Sequence, residues 1–271
     1  MGAKMTLGQF LPGDSPVHRL DPRTKILLMV AYIVLVFLVG RLPVFLLPAA
    51  FVVGVVLLAR VPLRYLGSSV RPIRWLLVFM FIINLFFTQG RTVLVEWWIF
   101  RITQESLRQA VFITLRLLLL VMGTSLLTLT TSPIVLTDGL ERLLKPLAVF
   151  RFPAHELAMM MTIALRFIPT LLEETDRIMK AQTARGADFA NGNMLQRVKN
   201  MLPLLVPLFI SAFRRADELA VAMEARCYRG GEGRTRMHEL AYAGRDYTAL
   251  VLVLALAVGL AVMSWGKLCG L

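Results

Sequence analysis

Apolar residues fill four stretches in the first half of the chain, 26–39, 44–59, 73–88 and 110–129, the last with Arg116 as its one charged residue. Crossing a bilayer takes roughly 20 apolar residues as a helix. The shorter stretches therefore borrow flanking residues or are partly buried by neighbours. A fifth stretch, 247–265, contains no charge at all and stands alone near the C-terminus. Between the fourth and fifth stretches the pattern changes: residues 131–246 are charged, punctuated by proline and helical in period.

Within that segment Ser132-Pro133 reads as an N-cap followed by proline at the first helical position, and Leu136, Leu140, Leu143, Leu144 and Leu147 continue as one stripe. This helix is expected to lie along the membrane. From His155 onward Met161, Leu165, Ile168, Leu172 and Met179 keep near-helical spacing, opposite Glu156, Glu173, Glu174, Asp176, Arg177 and Lys180. Pro169 is expected to kink that helix. A second long helix carries Leu195, Val198, Leu202, Leu205, Phe209, Phe213, Ala216, Leu219 and Met223 on one stripe, with Pro203 and Pro207 inside it. The pattern predicts an all-α integral membrane protein with about five transmembrane helices and long amphipathic helices between the fourth and last spans. Its parts are 1–130, a membrane domain with four spans; 131–246, a cytoplasmic or interfacial domain; and 247–271, a C-terminal transmembrane helix.

Composition agrees: 57% of the 271 residues are hydrophobic, 17% are charged and the mean hydropathy is +0.69, outside the range of ordinary soluble domains. A net charge of +13 raises the question of nucleic acid, but basic residues beside apolar runs mark loops that face anionic lipid, and interleaved aromatic and basic residues for base stacking are lacking. The partner implied is the lipid bilayer. Lys4, Arg19, Arg23 and Lys25 precede the first span and Arg41 alone follows it; Arg60, Arg64, Arg71 and Arg74 come next, then Arg91 and Arg101; sixteen basic residues lie in 131–246, and Lys267 alone follows the last span. By the positive-inside rule the N-terminus and the basic segment are cytoplasmic and the C-terminus is outside, in the cell membrane. No apolar signal region precedes the spans, so targeting is expected to come from the spans themselves.

Two similar tripeptides lie in the basic segment: Ala184-Arg185-Gly186 and Ala225-Arg226-Cys227. Gly186 after the first, and Gly230-Gly231 after the second, place each arginine in or near a last helical turn. An arginine there can simply complement the helix dipole. The repetition, each time on a long amphipathic helix and between small residues, favours docking instead, because a partner surface can close around a planar guanidinium that grips a carboxylate bidentately. Cys227 and Cys269 lack a CxxC spacing, and His18, His155 and His238 have no ligand partners at metal-binding spacing. His18 and the others read as surface or interfacial histidines. The only Gly-Lys, Gly266-Lys267, is followed by Leu268, so there is no phosphate-binding loop. No Ser/His/Asp set appears, and the spans hold no Asp or Glu, the groups expected in a proton-coupled secondary transporter or channel. Arg116 is expected to snorkel, although a buried role stays open.

The stretches SPVHRLDPRTKILL, ALRFIPTLLEETDRIMKAQTARGADF and RRADELAVAMEARCYRGGEGRT give the chain a specific resemblance, over nearly its whole length, to the transmembrane T component of energy-coupling factor transporters, the EcfT/CbiQ family, which includes cobalt-transport membrane subunits. The paired Ala-Arg-Gly motifs carry it; here the second ends in Cys227, still a small residue. The resemblance implies a non-catalytic scaffold of an ABC-type importer of vitamins, or of cobalt or nickel. Arg185 and Arg226 would anchor two P-loop ATPase subunits, with Ala184, Gly186, Ala225 and Cys227 allowing close approach. ATP and Mg would bind in those subunits, and no cofactor in this chain. A membrane-embedded substrate-binding S component would rest on Met159, Met160, Met161, Leu202, Leu205, Phe209 and Phe213, although the methionines fit ordinary helix core as well. The competing class, a self-contained secondary transporter or channel, leaves the paired arginines unexplained.

Overall fold

The computed structural model describes residues 10–88, 90, 92–97, 100–146, 153–187, 194–230 and 241–265. They form two compact units: residues 1–143 with 239–271, and residues 144–238. The first unit takes in the helix after Ser132, whose Gly139 packs against Pro22.

In the first unit α1 (Pro22–Leu38) starts where Asp21 caps it, accepting a hydrogen bond from the Arg23 amide at 2.9 Å, with Pro22 at the first helical position. A 3₁₀ turn (Leu42–Phe45) leads into α2 (Leu46–Ala59). Next come α3 (Leu63–Val70) and α4 (Arg74–Phe87), bent from one another by 56°. An antiparallel two-stranded hairpin follows, β1 (Val93–Trp97) and β2 (Phe100–Thr103), pairing Val95 with Ile102 and Trp97 with Phe100. Helical periodicity carries no sign of so short a ribbon. Then α5 (Gln104–Thr130) opens on a capping box in which the Thr103 hydroxyl accepts from the Ser106 amide at 3.1 Å and the Ser106 hydroxyl from the Thr103 amide at 3.0 Å. Finally α6 (Pro133–Leu144) begins at the expected Ser132 cap, and α9 (Gly244–Trp265) closes the unit.

The core of this unit is the seam where α1, α2, α5 and α9 meet: Tyr32, Val36, Val52, Val56, Leu126, Leu129, Leu256 and Leu260 are buried together. Gly123 on α5 lets the Tyr32 ring lie against the helix backbone, and the Tyr32 hydroxyl donates to the Leu119 carbonyl at 3.1 Å. Arg116 is not a free snorkelling side chain. It donates to the carbonyls of Val39 at 2.8 Å and Phe37 at 3.3 Å, beside the Phe112 ring, and so supplies a positive charge to the otherwise uncapped C-terminus of α1. On α6 the residues buried deepest are Thr137 and Gly139; the leucines at 136, 140, 143 and 144 are half-buried, and Leu147 lies outside the described residues.

The second unit is built from α7 (Ala154–Ala184) and α8 (Met194–Ala225), with Pro169 inside the first and Pro203 and Pro207 inside the second. Arg215 on α8 pairs with Glu174 on α7 at 2.8 Å, and Tyr228 just past α8 donates to the sulfur of Met159 near the start of α7 at 3.0 Å. The two helices are therefore antiparallel.

Among the described residues four helices are long and apolar enough to cross a membrane, 42–59, 104–130, 155–184 and 244–263, or five if the bent pair 64–70 and 74–87 is one span. Two differences from the sequence reading follow. Helix α1, at 17 residues, is about 26 Å long and just short of the hydrocarbon thickness. Helix α7 qualifies through its apolar first half, while Glu173, Glu174, Asp176, Arg177 and Lys180 crowd its second half.

Candidate functional site

Both tripeptides end their helices with the same backbone geometry. At the end of α7, Ala184 is the last helical residue and Arg185 the C-cap (φ −87°, ψ 6°); Gly186 then turns left-handed at φ 89°. The Gly186 amide donates to the Thr183 carbonyl and the Ala187 amide to the Gln182 carbonyl, both at 3.0 Å. At the end of α8, Ala225 is the last helical residue and Cys227 is left-handed at φ 56°. The Cys227 amide donates to the Glu224 carbonyl at 2.9 Å and the Tyr228 amide to the Met223 carbonyl at 3.1 Å. Each is a Schellman motif, with alanine at the last helical position, arginine at the cap and the third residue supplying the positive φ. Glycine at 230 and 231 was expected to end α8; Cys227 does so itself, because the amides of 227 and 228 satisfy the last carbonyls first. Gly231 lies outside the described residues.

A non-glycine residue in the left-handed region is strained, so Cys227→Gly is expected to tighten the α8 end by about 1 kcal/mol, and Gly186→Ala to loosen the α7 end by a similar amount. Among the described residues no atom lies within 4 Å of where a Gly186 Cβ would sit, so the cost expected there is that of the backbone. Amide hydrogen exchange at residues 187 and 228 reads both effects. Equal exchange in each variant and the parent would contradict the assignment.

All six tripeptide residues are exposed, and neither the Arg185 nor the Arg226 guanidinium has a hydrogen-bond or ion-pair partner among the described residues. Because α7 and α8 run antiparallel, the two arginines lie at opposite ends of the pair. At 1.5 Å rise per residue along α7 they are about 40 Å apart. One charged, donor-rich helix end is thus presented at each extremity, each able to receive a separate carboxylate.

The apolar surface expected between them divides. On α8 the inward face is formed by Leu204, Leu208, Ala212, Arg215, Leu219 and Met223. Leu202, Leu205, Phe209 and Phe213 lie outside it and are exposed, Phe209 by 61% and Phe213 by 68%; Met201, Val206 and Ile210 extend the patch. The side chains of Leu195 and Val198 lie outside the described residues. On α7 Met160 and Met161 are exposed, whereas Met159 is half-buried and engaged by Tyr228. Met159 belongs to the contact between the helices, which its sequence spacing alone could not reveal. A helix apolar over most of its circumference, with one side left uncovered, calls for a partner or lipid on that side.

Among the described residues no three His, Cys, Asp or Glu side chains gather closely enough to hold a metal ion. Sequence reasoning missed one group with a built environment, the buried set of Asp21 and Lys25 near the N-terminus and Asp246 at the start of α9, because its partners are distant in the chain.

The family described as cobalt transport protein, CbiQ, matches residues 13–238. Relatives named energy-coupling factor transporter transmembrane protein EcfT include the following. The protein of Thermosediminibacter oceani is 57% identical over 94% of this chain and 96% of its own length. That of Acidaminococcus fermentans is 56% identical over 97% of both. That of Bacillus subtilis is 49% identical over 93% of this chain and 96% of its own. A match that takes in α1 through both arginine helix ends, with relatives similar almost from end to end, agrees with the helical membrane architecture, and the chain belongs to the EcfT/CbiQ family of energy-coupling factor transporter transmembrane proteins.

Proposed function

We propose that this membrane transport component is a non-catalytic coupling scaffold: it joins two P-loop ATPase subunits to a membrane-embedded substrate-binding subunit and turns ATP-driven closure into movement of that subunit. The observation that carries the reading is the pair of matched helix ends, each offering at its cap an arginine with no partner among the described residues. Arg185 and Arg226 grip one carboxylate on each ATPase; Ala184, Gly186, Ala225 and Cys227 leave room for the approach. The exposed face of Leu202, Leu205, Phe209 and Phe213, with Met160 and Met161 on α7, supports docking of the substrate subunit. ATP and Mg²⁺ bind in the ATPase subunits, and the cargo, a vitamin or a cobalt or nickel ion, is held by the substrate subunit.

The reading requires the second unit and the N-terminus to be cytoplasmic and the C-terminus outside, as the excess of basic residues between the fourth and last spans indicates. A cysteine introduced as Gly186→Cys in a chain lacking Cys227 and Cys269 is expected to react with a membrane-impermeant maleimide only after the cells are opened. Labelling in intact cells would place the arginines on the wrong side and overturn the reading.

A further inference from the structure

The N-terminal segment 14–25 contributes nothing to the two helix ends, yet it carries a buried polar network. The carboxylate of Asp246, at the start of α9, accepts from the Asp21 amide and from the Ala243 amide, each at 2.8 Å. Asp21 in turn accepts from the Arg23 side chain at 3.1 Å and 3.0 Å, and the Arg23 guanidinium lies 4.4 Å from the centre of the Tyr242 ring. The Lys25 ammonium, 6% exposed as a residue, donates to the His18 carbonyl at 3.0 Å, the Thr130 carbonyl at 3.0 Å and the Thr131 hydroxyl at 3.1 Å. All three of its protons are used. Pro22 sits against α6 so closely that a Cβ at Gly139 would meet the proline ring at 2.9 Å.

One short segment thus holds the end of α5, the flank of α6 and the start of α9. These are the places where the chain is about to leave the first unit, after residue 143, and where it has just returned to it, from residue 239. Buried charges fix geometry when every lone pair and proton is matched, because any displacement leaves a charge unpaired. A core of leucines would tolerate sliding. We propose that segment 14–25 is a clasp, with Asp21, Lys25 and Asp246 as positioning residues, that keeps the outgoing and returning passages of the chain in fixed register so that motion of the coupling helices reaches the spans. This inference rests on the coupling function proposed above.

The test uses the full transporter, reconstituted in liposomes with its ATPase and substrate subunits, and reads ATP hydrolysis and substrate uptake in the same sample. Lys25→Met and Asp246→Asn are expected to leave complex recovery and hydrolysis within about twofold while uptake per ATP falls about tenfold, since each leaves buried polar groups unmatched. Tyr242→Leu, at a residue 52% exposed, touches no core and is expected to lower uptake per ATP about threefold by removing the cation–π contact. It decides the matter if the buried variants fail to accumulate. An unchanged ratio in Tyr242→Leu and in whichever buried variants assemble, or uptake and hydrolysis falling together, would overturn the clasp. The Arg185→Ala, Arg226→Ala double variant run alongside separates the two ideas: if ATPase subunits stay bound without both arginines the coupling reading fails, whereas a clasp that fails leaves the dependence on the two arginines intact.

Discussion

Replacing Arg185 or Arg226 with alanine is expected to cost about 2 to 5 kcal/mol of assembly energy and to abolish ATP-driven uptake while membrane insertion stays normal. On the proposed docking the cost would arise mainly on the partner, where a carboxylate would be left buried and unpaired. Lysine should rescue poorly, since a point charge on a flexible stem lacks the planar fork that binds both carboxylate oxygens. A dipole-only role makes the opposite prediction: lysine would substitute well, and alanine would cost less than about 1 kcal/mol. Neither arginine has a partner among the described residues, so its removal breaks nothing within the fold there. Uptake and membrane levels, measured for alanine and lysine at both positions, distinguish the two roles.

Phe209 and Phe213 give the second large effect. Each is more than half exposed, and each would bury a ring worth about 1.5 to 3 kcal/mol against a membrane partner. The double variant Phe209→Ala, Phe213→Ala should therefore weaken capture of the substrate subunit by on the order of 100-fold or more while the two ATPase subunits stay bound. Co-purification of each partner class from the same membranes measures this. Retained substrate subunit would show that lipid, and not protein, covers this face of α8.

Much of this was legible in the sequence because it is written in local terms. Ser132-Pro133 announces α6, helical spacing from His155 announces α7, and small residues around Arg185 and Arg226 announce two helix ends. What escaped depends on contacts between distant positions or on competition between local signals. Arg116 reads as an isolated charge until the carbonyls of Phe37 and Val39 are placed beside it. Asp21 and Asp246 are 225 positions apart, and nothing in either neighbourhood points to the other. Met159 differs from Met160 and Met161 only in which way one turn of α7 faces. Cys227 took the left-handed position that Gly230 and Gly231 had seemed to claim, since a helix ends where its last carbonyls first find donors. The hairpin 93–103 is too short to show a period of its own.

On the proposed coupling function, two helix ends about 40 Å apart each hold one ATPase subunit. Native mass spectrometry of the complex purified through this chain tests it most directly. Two ATPase subunits are expected on the parent chain and none on the Arg185→Ala, Arg226→Ala double variant at equal expression. Two ATPase subunits still bound to the double variant would contradict it.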